Sequence, residues 1–226
     1  MMGRYCRLLL ILIGFAALTA AAPVRDWRAH VVKLPSGAYV VGNPAARVKL
    51  VEYASYTCPH CAAFVAESEP VLLRQMVRSG STSWEFRNLI RDRIDLSAAV
   101  LAHCAPPAGF VALNGAIFAQ QPGWLDRAMD FQQANGARLQ MYPTLAQLRA
   151  YADGAGLTAI GRSHGLSDAR IDACYADQAE LDRITAMTAA VPVGVVGTPA
   201  FVVNGKLVTG ANWATLQPAL VATGAK

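Results

Sequence analysis

Cys58-Pro59-His60-Cys61 stands between two segments of opposite periodicity, and that junction constrains the chain more than any other feature. Before it runs VKLVEYA, Val48–Ala54, an apolar and β-branched stretch that reads as a core strand. After it, Phe64, Val65, Val71, Leu72 and Met76 recur at a spacing that covers one side of a helix, with Pro70 expected to kink it. Two cysteines separated by two residues therefore sit where a strand hands over to a helix. A helix start offers unpaired backbone N–H groups and the positive end of the dipole, so a thiolate at Cys58 is favoured there. Pro59 suits the first helical position because its missing N–H is not needed. His60 adds a partly positive neighbour, and Cys61 falls one turn further in, within reach for a disulfide.

Stabilising the Cys58 thiolate stabilises the dithiol and makes Cys58 a good leaving group, so the pair becomes an oxidant. A disulfide oxidant must itself be re-oxidised, most economically by a quinone-linked membrane partner. Two other readings stay open for the motif: half of a zinc site, and an inert structural disulfide. Against zinc, no second C-x2-C and no H-x3-5-H accompanies the candidates His60, His103 and Cys104. No metal or cofactor is expected. Glu52 lies six residues before Cys58 and alternates onto the side of Val48 and Leu50. That reads as an inward carboxylate able to exchange a proton with Cys61, with a solvent-facing charge as the other reading.

The surrounding chain supplies compartment and layout. Residues 8–22, LLLILIGFAALTAAA, follow Arg4 and Arg7 and end in small residues, the layout of a cleaved export signal over 1–22. An uncleaved anchor is the alternative, and Cys6 leaves with the signal. Without Arg4 and Arg7 the net charge of +5 falls to about +3. The basic residues are scattered without interleaved aromatics, so nucleic-acid binding is not expected. Cys58, Cys61, Cys104 and Cys174 remain, an even number in a compartment where disulfides persist. Hydrophobic residues at 54% and charged residues at 15% provide for a large core.

Residues 23–47 hold one short edge strand near Ala38–Val41. Thr82–Leu89 reads as a second core strand, ended on its near side by Gly80. Residues 95–190 carry helical stretches near Leu96–His103, Gly109–Gln120, Leu145–Ala155, Asp168–Tyr175 and Ala179–Ala189, broken by Pro106–Pro107, Pro122–Gly123, Pro143 and Gly154–Gly156. Two apolar segments flank Asn204–Gly205 within Pro199–Gly210, a hairpin signal, and a helix near Trp213–Val221 closes the chain. The expected assembly is a small mixed sheet built from both ends of the chain, 23–94 and 191–226, with 95–190 inserted as a helical cap. Phe110, Phe118, Trp124 and Phe131 either add hydrophobic surface to that cap or pack its core.

VEYASYTCPHC together with GTPAFVVNG resembles the bacterial periplasmic DsbA family of the thioredoxin superfamily, over about Gly42 to Val221. The resemblance implies an α/β fold, a thioredoxin-like mixed sheet with a long inserted all-helical domain. It implies a protein disulfide oxidoreductase in the periplasm that oxidises unfolded or partly folded exported proteins as a monomer. It makes Cys58 the nucleophile, Cys61 the resolving cysteine and Glu52 a buried acid. Thr198-Pro199 becomes the substrate-binding loop with a cis proline. Thr198 also occurs in isomerase and reductase members, which keeps that activity as an alternative, with a non-catalytic peptide- or metal-binding module behind it. Many relatives lack the second cysteine pair. Joining Cys104 to Cys174 closes about 70 residues, worth ~4 kcal/mol in the chain-entropy picture. A structural disulfide is the first reading there; two unpaired cysteines and a second redox relay are the others.

Overall fold

The computed structural model describes residues 25–210 and 212–226; the export signal read over 1–22, Cys6 included, lies outside them. Six strands form one mixed sheet: β1 (Val31–Lys33), β2 (Tyr39–Gly42), β3 (Val48–Ala54), β4 (Thr82–Asn88), β5 (Ala200–Val203) and β6 (Lys206–Leu207). Their order across the sheet is β1-β2-β4-β3-β5-β6. Only β3 and β4 run parallel. Parallel neighbours need a crossover, supplied by α1 (Pro59–Val71) and the turn of π-helix over Leu72–Val77 that follows it. Pro70 explains that π turn: without an N–H it cannot bond to the preceding turn, and the backbone re-registers just beyond it. Gly80 ends the crossover with φ of +82°; a Cβ there would also lie 2.6 Å from the Trp27 ring.

The lead-in departs from the expectation of a single edge strand near Ala38–Val41. Val31–Lys33 pairs with Tyr39–Gly42 and takes the edge, while Tyr39–Gly42 pairs onward to β4 and is internal. A three-residue strand with no alternating apolar pattern carries too little signal to be read.

Between β4 and β5 run α2 (Arg93–His103), α3 (Pro107–Ala119), α4 (Gln121–Leu139), α5 (Thr144–Ala155), α6 (Leu157–Ser163), α7 (Asp168–Cys174) and α8 (Gln178–Ala189); α9 (Trp213–Ala222) follows the sheet. Asp92, Ser167, Asp177 and Asn212 cap α2, α7, α8 and α9 through their side chains. The sequence gives no warning of α4 and α6. Pro122–Gly123 reads as a break but lies in the first turn of α4, where proline is tolerated. The β5–β6 turn places Asn204 and Gly205 at φ of 49° and 81°, the paired positive values of a tight hairpin.

One face of the sheet positions the site. Tyr39, Phe86, Glu52 and Phe201 lie in register across β2, β4, β3 and β5 and so share a face. Phe64 of α1 packs on Phe201 at 4.5 Å between ring centroids, and Phe110 of α3 stacks on Tyr39 at 3.8 Å. Phe110, Phe118 and Trp124 are buried in this core and present no cap surface, whereas Phe131 is half-buried against Tyr151.

Candidate active site

β3 ends at Ala54, and Ser55-Tyr56-Thr57 turn the chain into α1 with Cys58 as its N-cap, at φ −89° and ψ 116°. Pro59 takes the first helical position and is exposed, as is His60. Cys58 and Cys61 are both thiols; Cys61 is wholly buried, and the small exposure of Cys58 faces a cleft. That cleft, 530 Å³ in volume, is lined by Cys58, Pro59, His60, Leu89, Arg91 and the loop Val196–Thr198. The Thr198–Pro199 peptide is cis, and the Cys58 thiol donates to the Thr198 carbonyl at 3.2 Å. Residues 140 apart in sequence thus meet at the sulfur.

The two sulfurs are driven in opposite directions. Cys58 is lowered to about 5, first by the hydrogen bond from Cys61, then by the Thr198 side chain and the backbone N–H groups of Cys61 and His60, against a burial cost. Cys61 is raised above the ordinary thiol range by burial first, then by its bond to Cys58 and the charges of Cys58 and Glu52. An attacking or leaving sulfur at the rim and a protonated sulfur behind it are what dithiol exchange requires.

Glu52 is wholly buried between Phe86 and Phe201 in the register. Its Oε2 accepts from Trp84 Nε1 at 2.8 Å, and Oε1 has no hydrogen-bond partner among the described residues. Burial pushes its pKa up to about 8, with the Trp84 bond opposing. At neutral pH this carboxyl mostly carries a proton; once ionised, its charge pushes Cys61 further up.

The inserted helices supply further groups that sequence reading missed. Asp95, buried in α2, accepts from the Tyr56 N–H at 2.7 Å and the Arg91 N–H at 3.0 Å. Burial raises its pKa to about 7, against hydrogen bonds from Ser55, Arg91 and Tyr56. Asp92 accepts from the Thr57 hydroxyl at 3.1 Å, and Asn114 from the Tyr56 phenol at 2.6 Å. The Gln121 side-chain amide donates to the carbonyls of Tyr56 at 2.7 Å and Cys58 at 2.9 Å. The Asp92-x-x-Asp95 spacing is a capping signal that the sequence does carry; nothing in it points Gln121 at Cys58.

Cys104 and Cys174 are joined as a disulfide, with Cα atoms 5.7 Å apart and a sequence separation of 70. They tie the end of α2 to the end of α7, at the opposite end of α2 from Asp92, which bonds to Thr57. Among the described residues, no three His, Cys, Asp or Glu side chains are grouped to hold a metal ion, and no helix is long and apolar enough to cross a membrane.

Known proteins place this geometry. A structure of a protein-disulfide isomerase from Novosphingobium aromaticivorans is similar at 34% identity and a TM-score of 0.76, covering 82% of this chain and 96% of that one. Alpha-DsbA1 of Wolbachia pipientis shares the fold at 21% identity and a TM-score of 0.67, over 84% of this chain and 92% of its own. A Rickettsia conorii protein named, by inference, as a protein-disulfide oxidoreductase is 31% identical over 180 residues, 76% of this chain and 55% of that protein. The chain spans a little over half the length of the curated relatives it matches. The family model described as Thioredoxin matches residues 36–221, and on that match the chain belongs to the thioredoxin family, in a form with the DsbA-like fold.

Proposed function

We propose that the protein is a thiol–disulfide oxidoreductase that oxidises cysteine pairs in other exported proteins. One observation carries this reading: Cys58 caps a helix at the cleft with its sulfur against Thr198, while Cys61 lies sealed one turn behind it. In the oxidised enzyme, a substrate thiolate attacks Cys58 Sγ; the Cys58–Cys61 bond breaks and Cys61 departs with the electron pair. Glu52, protonated at neutral pH, is the group placed to supply its proton. A second substrate thiolate then attacks the substrate sulfur of the mixed disulfide, and Cys58 leaves as the thiolate. Two electrons pass from substrate to enzyme, and the substrate gains a disulfide.

The backbone beside cis-Pro199 borders the cleft, so an extended, unfolded segment is the substrate form it suits. Val196 stands fully exposed on the same rim and offers apolar contact. The protein acts in the periplasm as a monomer, and a quinone-linked membrane protein returns it to the disulfide form. Equilibrating Cys58–Cys61 with glutathione tests the direction of the chemistry. A couple distinctly more oxidising than glutathione is expected. A couple as reducing as thioredoxin, or rescue of scrambled substrates without net oxidation, would replace the oxidase with a reductase or an isomerase.

A further inference from the structure

We propose that Gln121 is a positioning residue for Cys58: its amide, carried in by the inserted helices, holds the Tyr56 and Cys58 carbonyls and so sets how far the Cys58 sulfur is acidified. The inference rests on Cys58 being the exchanging sulfur of the proposed function.

Gln121 opens α4, 63 residues beyond Cys58 in sequence, and is buried at 3% exposure. Its Nε2 spends both hydrogens on the turn, one on Tyr56 O and one on Cys58 O. The rest of Tyr56 is bonded to the same insert: its N–H to Asp95, its phenol to Asn114, its ring against Phe118 at 4.7 Å. The turn that presents the sulfur is therefore shaped by the insert as much as by the sheet.

Holding the turn has an electrostatic consequence at Cys58. The Cys58 carbonyl already accepts from Cys61 N–H at 3.1 Å and Ala62 N–H at 3.3 Å, the first bonds of α1. A carbonyl oxygen on the residue that carries the thiolate presents a negative dipole end close to it. The Gln121 amide hydrogens offset that dipole and place positive charge beside the sulfur's own backbone, in a buried and weakly screened setting. Asp95, on the other side of Tyr56, acts on an N–H and has no such contact with Cys58.

The full chain carrying Gln121→Met tests this, since methionine keeps length and burial but donates nothing. Thiolate absorbance of the reduced protein against pH, equilibrium with glutathione and thermal melting are read together. The Cys58 midpoint should rise by about half a unit or more, and the glutathione equilibrium should shift roughly threefold or more toward the enzyme disulfide. Tyr56→Phe is the structural control: it loses the Asn114 bond but keeps both Gln121 bonds, so its melting temperature should fall with the Cys58 midpoint unmoved. If Gln121→Met lowers melting alone, Gln121 only packs and the proposal is overturned. Should that variant not fold, Gln121→Glu keeps the shape with at most one donor; an unmoved midpoint there overturns it equally. A wild-type midpoint near that of a free thiol would sink the oxidant reading instead, while the difference between wild type and variant still reports on Gln121.

Discussion

Replacing Glu52 with glutamine removes an ionisable group from the least hydrated position beside the cysteines. In the fold the carboxyl lies between Phe86 and Phe201 with Trp84 Nε1 as its one donor among the described residues, and it ionises near 8. In the unfolded chain it ionises near the ordinary value of 4.5. The native state thus prefers the proton. Its stabilising contribution is complete below 4.5 and is lost as pH rises toward 8. Each pH unit in that window costs the wild type about 1.4 kcal/mol, which reaches roughly 3 kcal/mol at pH 7. Glutamine accepts from Trp84 as the neutral acid does and leaves a comparable second atom unpartnered, so the two proteins should be nearly equal at pH 4. Urea unfolding of the oxidised forms, where neither thiol titrates, measures the difference between wild type and Glu52→Gln at each pH. Asp95 is common to both and cancels from it. The difference should open steadily from pH 4.5 to 8 in favour of the variant. A difference flat across that window would refute the argument, because it would mean that Glu52 meets no desolvation penalty in the fold.

Trp84→Phe should act in the opposite sense on the same group. Losing the bond to Oε2 costs roughly 1–3 kcal/mol near pH 5 and moves Glu52 ionisation to higher pH, which carbon NMR of the labelled carboxyl would follow. In the reduced protein, thiolate absorbance should report Cys58 titrating near pH 5 and no second thiolate up to pH 9. Because the folded pKa is depressed, this group favours the reduced fold most fully above 9 and loses that effect as pH falls through 5. The Cys104→Ala, Cys174→Ala double variant should lose roughly 4 kcal/mol by the loop-entropy argument and keep dithiol oxidation; turnover lost with melting unchanged would give that pair a redox role.

What is legible in the sequence follows from local rules. A strand running into C-P-H-C and a helix locates the sulfurs, because the sheet must deliver Cys58 to a helix end whatever lies beyond. Strand parity located Glu52 on the inner face. Asn204–Gly205 announced its hairpin because an Asn-Gly pair readily takes two consecutive positive φ values. The misses share a physical cause. Pro122–Gly123 reads as a break only while the residues around it are ignored; in the first turn of α4 proline lacks nothing that a helix needs. Gln121 beside it has no pattern of its own, since a glutamine is exposed or buried according to what faces it. What faces it is the pair of carbonyls on either side of Thr57, brought there by helices whose packing is fixed by Phe118 and Trp124 far from the cysteines in sequence. The electrostatics of Cys58 is therefore divided. The helix end and the neighbouring thiol are legible in the motif itself, while the share that comes from Thr198 and Gln121 exists only once the chain has closed on itself. A motif of this kind predicts that the sulfur is acidified; the degree belongs to the fold.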